Sequence, residues 1–128
     1  LRQCSRRRPL LAKHPKISWV NYAGLEDNPS YGLHRTYCPK GAGSVFTFGL
    51  KGGYDAGVKV VNNVRLISHL ANVGDTRSLI IHPASTTHRQ LDDTQRAAAG
   101  AGNEVMRVSI GIESVEDIIA DLDQALGA

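Results

Sequence analysis

His69-Leu-Ala-Asn-Val-Gly-Asp-Thr-Arg-Ser-Leu-Ile-Ile-His-Pro-Ala-Ser-Thr-Thr-His88, followed after a short helical stretch by Val105-Met-Arg-Val-Ser-Ile-Gly-Ile112, decides how this chain reads. The second segment alternates. Met106, Val108, Ile110 and Ile112 fall on one face of a strand, and Arg107 and Ser109 fall on the other. Leu66 to Val73 and Ser78 to Ile81 read as short extended pieces, with Asn72 and Gly74 at the strand-to-turn transition between them. Polar groups suited to holding a carboxylate thus stand at neighbouring strand ends.

Upstream, Lys16 to Ala23 has the β-branched and aromatic content of a strand, as does Ser44 to Leu50, where Val45 alternates against Phe46 and Phe48. Tyr31 to Cys38 reads as a short helix stopped by Pro39. Gly52-Gly53 opens a helix near Tyr54 to Val64, with Ala56, Val60 and Val64 on one face. Asp92 is a good N-cap with Gln95 at the capping-box position, and Gly100 is a natural stop. Ser114 caps a last helix whose stripe is Val115, Ile118, Ile119, Leu122 and Leu126. Strands and helices alternate irregularly, with short connections. The pattern predicts a two-layer α/β domain of the α+β type, with helices on one face of a small, mostly antiparallel sheet. Pattern does not give strand order.

At 128 residues, with 41% hydrophobic and 21% charged side chains, the chain suffices for one core and does not resemble a disordered protein. No apolar run approaches the roughly 20 residues of a membrane span. Cys4 and Cys38 sit in no CxxC pair, so free thiols in a reducing cytoplasm are the simplest expectation, and a disulfide between them stays open. The basic balance is a terminal feature. Residues 1–16 carry six basic groups and no acid, whereas residues 17–128 carry 9 basic and 12 acidic groups, a net charge of −3. Residues 1–9, with Arg6-Arg7-Arg8 and Pro9, therefore read as a disordered basic end, and nucleic-acid binding rests on that run alone.

Three places could carry chemistry. Arg107 presents a planar fork that matches a carboxylate bidentately; the plain alternative is an arginine on a solvated sheet face. Asn72 can donate through its amide, and Gly74 permits close backbone approach; both residues are also ordinary in turns. His82 and His88, six apart, match no helical i, i+4 ligand pair, and no zinc-ligand cysteines accompany them. Ser85 lacks a GxSxG context, and the glycine-rich stretches Lys40–Gly43 and Gly49–Gly53 lack the order of a phosphate loop.

Several blocks in order resemble one enzyme family: Leu-Ala-Lys-His-Pro-Lys16, Val-Asn-Tyr-Ala-Gly-Leu25, Pro-Lys-Gly-Ala-Gly-Ser-Val-Phe-Thr-Phe48, the Asn-Val-Gly74 form, Arg107-Val-Ser-Ile-Gly-Ile-Glu113 and Ile-Ala-Asp-Leu-Asp-Gln-Ala-Leu126. From about Leu10 to Leu126 the chain is similar to the C-terminal domain of the pyridoxal-phosphate enzymes of cysteine and methionine metabolism, on the O-acetylhomoserine sulfhydrylase branch. Residues 1–9 depart from that pattern. The resemblance implies the C-terminal substrate-binding domain, residues 10–128, of a fold-type I enzyme. In it Arg107, Asn72 and Thr87 would hold the substrate α-carboxylate, and His82 and His88 would brace a buried loop facing the active site.

The resemblance also implies a pyridoxal phosphate cofactor, a cytoplasmic homo-oligomer, and a cofactor domain that supplies the Schiff-base lysine. Lys13, Lys16, Lys40, Lys51 and Lys59 all lack the family's Ser-x-Thr-Lys context, so no catalytic residue and no covalent cofactor are expected in this chain. The rival reading is a stand-alone interaction or ligand-binding module that docks on a full-length relative.

Overall fold

The computed structural model describes Leu11 and residues 13–127; the expectation for residues 1–9 falls outside them. The strands are β1 (Ile17–Asn21), β2 (Val45–Leu50), β3 (Ser68–His69), β4 (Leu79–Ile81) and β5 (Val105–Ser109). They form one sheet in the order β1-β2-β5-β4-β3. The pairings are antiparallel, except that β3 runs parallel to β4. The helices are α1 (Tyr31–Tyr37), α2 (Gly53–Asn63), α3 (Asp93–Ala98) and α4 (Val115–Gly127), and a 3-10 turn spans Pro83–Ser85.

The mostly antiparallel sheet, with α2 and α4 on one face, is the architecture expected. Alternation in β2 and β5 sends Phe46, Phe48, Met106, Val108 and Ile110 into one core with Ile80. α2 and α4 pack against each other over that face, with Val60, Val61, Ile118, Leu122 and Leu126 buried. α1 and α3 bury no side chain. α3 is held at its start by the expected reciprocal bonds: Gln95 N–H donates to Asp92 Oδ1 at 2.8 Å, and Asp92 N–H donates to Gln95 Oε1 at 3.1 Å.

The structure corrects two details. The extended reading of Leu66 to Val73 shrinks to Ser68–His69, because β3 is an edge strand whose partner β4 is itself only three residues long. β5 ends at Ser109, where both neighbours run out, so Ile112 lies beyond the strand and is 79% exposed rather than in the core. On the second face of the sheet Leu79, Ile81 and Val105 are buried.

Asp121 carries a role that the sequence reading missed. It sits on the buried face of α4 between Ile118 and Leu122. Its carboxylate accepts the backbone N–H of Arg65 at 2.8 Å, Leu66 at 3.0 Å and Ile67 at 2.9 Å, and the Gln124 amide at 3.1 Å. The α2–β3 connection is thereby tied to α4. A charge inside an apolar helical stripe was the available signal, since buried carboxylates are paired or hydrogen-bonded.

Packing of α2 on the His82 ring gives a first testable consequence. A methyl group at Gly57 would stand 2.5 Å from His82 Cδ2 and Nε2. The ring cannot retreat, because its nitrogens are bonded on both sides: Nδ1 to Ser85 Oγ at 2.9 Å and Nε2 to the Asn103 carbonyl at 2.9 Å. Alanine is the better helix former by about 1 kcal/mol. Overpacking of about 1–3 kcal/mol outweighs that gain, so Gly57→Ala is expected to lower the melting temperature. Gly32→Ala in α1, where nothing lies within 4 Å, is expected to leave it unchanged or raise it. Equal melting temperatures for Gly57→Ala and the parent chain would show that the ring yields.

Candidate functional site

β5 is the central strand and aligns Arg107 with Thr47 of β2 on one side and Ile81 of β4 on the other. All three project from the face opposite the helices. On that face the segment after β3 folds over the sheet. Leu70, Ala71 and Asn72 line a small depression with Leu79, Ile81, Arg107 and Ser109. Two of the three expected carboxylate-holding residues, Arg107 and Asn72, are thus brought together from positions 35 residues apart.

The loop is held there by a clasp that sequence reasoning did not detect. Ser78, at the entrance to β4, is fully buried. Its N–H donates to Glu113 Oε1 at 2.6 Å, and its hydroxyl donates to Glu113 Oε2 at 2.9 Å. The same hydroxyl accepts the Gly111 N–H at 2.9 Å. Gly111 is required by close approach: a Cβ there would stand 2.2 Å from the Thr76 carbonyl oxygen. The ends of β4 and β5 are locked together, which sets the loop relative to Arg107.

Asp75 and Arg77 fix the loop from within. Arg77 donates through Nε at 3.1 Å, Nη2 at 2.9 Å and its backbone N–H at 2.9 Å to the Asp75 carboxylate. The side-chain bonds from Arg77, followed by its backbone N–H, hold the Asp75 carboxyl well below the usual carboxylate range. Asn72 is oriented by the same pair. Its Oδ1 accepts the Val73 N–H at 2.8 Å, and its Nδ2 donates to Asp75 Oδ2 at 3.3 Å. One amide hydrogen remains for a ligand.

Arg107 is the counterpart of Arg77. Its guanidinium is exposed and has no hydrogen-bond or ion-pair partner among the described residues. An unengaged guanidinium fork beside an oriented amide can take a carboxylate in charge-assisted bonds. The depression encloses only about 20 Å³, room for roughly one water. It can serve as one wall of an amino-acid site and needs a second wall to enclose the ligand.

Thr87 is not in the depression. It is exposed, and its hydroxyl lies 2.8 Å from His88 Nδ1. The loop expected to be buried is buried only over His82, Pro83 and Ala84, whereas Thr86 and Thr87 are exposed. His82 braces it: the Asn103 carbonyl can only accept, so Nε2 carries the proton and Nδ1 accepts from Ser85. Burial holds the His82 imidazole below its ordinary value, consistent with a neutral structural ring.

The described residues do not fit a pyridoxal phosphate anchor. A Schiff-base lysine is activated by desolvation. Lys13, Lys16, Lys40, Lys51 and Lys59 are all exposed, and none lines the depression beside Arg107.

The fold, with an arginine-bearing central strand and a clasped Asn-Val-Gly loop, is that of a known enzyme family. Residues 8–127 match the family of Cys/Met metabolism PLP-dependent enzymes, and the chain belongs to it. Among its relatives, O-acetyl-L-homoserine sulfhydrylase 1 of Thermus thermophilus is 51% identical over 116 residues, which is 91% of this chain and 28% of that protein. The homocysteine synthase of Schizosaccharomyces pombe is 52% identical, over 91% of this chain and 27% of that protein. A Campylobacter jejuni protein assigned as an O-acetylhomoserine (thiol)-lyase, solved with pyridoxyl-lysine monophosphate, superposes with a TM-score of 0.89 at 37% identity. It covers 99% of this chain, which spans 30% of that protein. This chain therefore spans less than a third of the length of these relatives. Among the described residues no helix is long and apolar enough to cross a membrane.

Proposed function

We propose that the chain is the substrate-binding C-terminal portion of a cytoplasmic O-acetylhomoserine sulfhydrylase that replaces the acetate of its substrate by sulfide or a thiol. In this reading Arg107 grips the α-carboxylate bidentately and Asn72 donates a second bond to it. Thr87 is carried by the family resemblance alone, and would have to turn from His88 toward the ligand. The cofactor and its lysine come from the rest of the enzyme, which also supplies the second wall, in a homo-oligomer. The observation that carries the reading is the unengaged guanidinium fork of Arg107 beside the oriented Asn72 amide, in a family whose members act on amino acids.

A chimera tests it. The matching C-terminal portion of the Thermus thermophilus relative is replaced by this chain, and sulfide-dependent consumption of O-acetylhomoserine is followed. The chimera is expected to turn over, and the 128-residue chain alone is expected to be inactive. A chimera that folds and holds pyridoxal phosphate by its absorbance, yet consumes neither O-acetylhomoserine nor another O-acylated amino acid, overturns the reading. So does turnover by the isolated chain.

A further inference from the structure

A second concavity lies away from Arg107, on the helix side of the sheet, and its chemistry differs. It opens where the chain enters β1, where β2 hands over to α2, and where α4 ends. Its floor is apolar. Leu50, Val60 and Leu126, which are nearly buried and belong to the main core, end there. Among the described residues, its rim carries Lys16, Lys51 and Lys59 against the single carboxylate of Asp55. The Lys51 N–H donates to the Lys16 carbonyl at 2.9 Å, so two of the three lysines are fixed to one another through the backbone. None of the three ammonium groups has an ion-pair or hydrogen-bond partner among the described residues. The space measures about 430 Å³, within the roughly 300–1,000 Å³ that small-molecule sites occupy.

An ordinary surface disperses like charges and pairs them with acids. Here three lysines with no charge partner among the described residues line a concavity floored by core side chains. Uncharged apolar molecules would leave the ammonium groups unused, and inorganic anions would leave the floor wet. We propose that this concavity binds a small organic anion: a phosphate, sulfate or carboxylate group held by Lys16, Lys51 and Lys59, with an apolar body seated on Leu50, Val60 and Leu126. Such a ligand gains from burial of its hydrocarbon and from charge pairing at once. The site is independent of the carboxylate site at Arg107, and its ligand need not be a substrate.

The test uses the full chain, nitrogen-labelled, titrated with phenyl phosphate and in parallel with inorganic phosphate and phenol. Phenyl phosphate is expected to shift the amides of Lys51, Gly52, Lys59 and Ala125 saturably, with affinity about tenfold or more above either control. Joint Lys51→Ala and Lys59→Ala substitution is expected to weaken it by about tenfold or more with the spectrum otherwise intact. Ala56→Leu, which narrows the cavity, is expected to block phenyl phosphate and spare the weak shifts from inorganic phosphate. Equal affinity for phenyl and inorganic phosphate would reduce the rim to a general basic patch and overturn the proposal. So would absence of saturation by about 10 mM, or shifts centred on Arg107 instead.

Discussion

Asp121→Ala is expected to destabilise the chain by about 3–5 kcal/mol, because one side chain satisfies three consecutive backbone donors. Hydrogen bonds to a charged acceptor contribute about 1.5–3 kcal/mol each, and they do not add in full. Alanine suits a helix better than aspartate, which returns only a few tenths to about 0.7 kcal/mol. The net loss is a large share of the about 5–15 kcal/mol that holds a domain together. Asp121→Asn separates geometry from charge. An amide offers one acceptor oxygen, so it can keep the bonds made by Oδ1 or those made by Oδ2, and an intermediate loss is expected. Urea unfolding of the full chain measures all three proteins. A loss under about 1 kcal/mol for Asp121→Ala would mean that water replaces the carboxylate at Arg65–Ile67, and that the α2–β3 connection does not depend on α4.

Asp121 also illustrates what a sequence does and does not disclose here. The strands β2 and β5 were legible because both alternate strongly, whereas their pairing at the centre of the sheet, which buries Phe46, Phe48, Met106 and Val108 together, was not. The capping box at Asp92 and Gln95 was legible because it is local. The parts that escaped depend on distant residues. Ser78 and Glu113 are 35 positions apart, and neither forms a motif by itself. The end of β3 is set by the length of β4, which nothing in Leu66–Val73 encodes. Arg107 stood out by strand phase and by family likeness. Its meeting with Asn72 is a product of the β5–β4–β3 order, which pattern could not supply. Thr87, assigned by likeness alone, is the residue the fold leaves farthest from explanation, since it lies outside the depression and against His88.

In the chimeric enzyme, Arg107→Lys is expected to cut kcat/KM for O-acetylhomoserine by about 30-fold or more. Lysine keeps the positive charge, and with it any benefit from charge alone. It loses the two parallel N–H donors that match a carboxylate. The position resists compensation. Arg107 rises from a central strand paired on both sides, to Thr47 and Ile81, so its Cα cannot shift to let a shorter ammonium group reach the same oxygens. Disrupting a buried charge-assisted contact costs about 2–5 kcal/mol, and about 1.4 kcal/mol is tenfold in rate. Arg77→Lys serves as the contrast. Arg77 already spends its fork on Asp75 and acts only through the loop that carries Asn72, so a smaller loss is expected there. Steady-state kinetics on the three enzymes, with absorbance spectra showing equal cofactor occupancy, give the comparison. A loss below about threefold for Arg107→Lys, less than about 0.7 kcal/mol, would make Arg107 a surface arginine and would move the carboxylate site elsewhere.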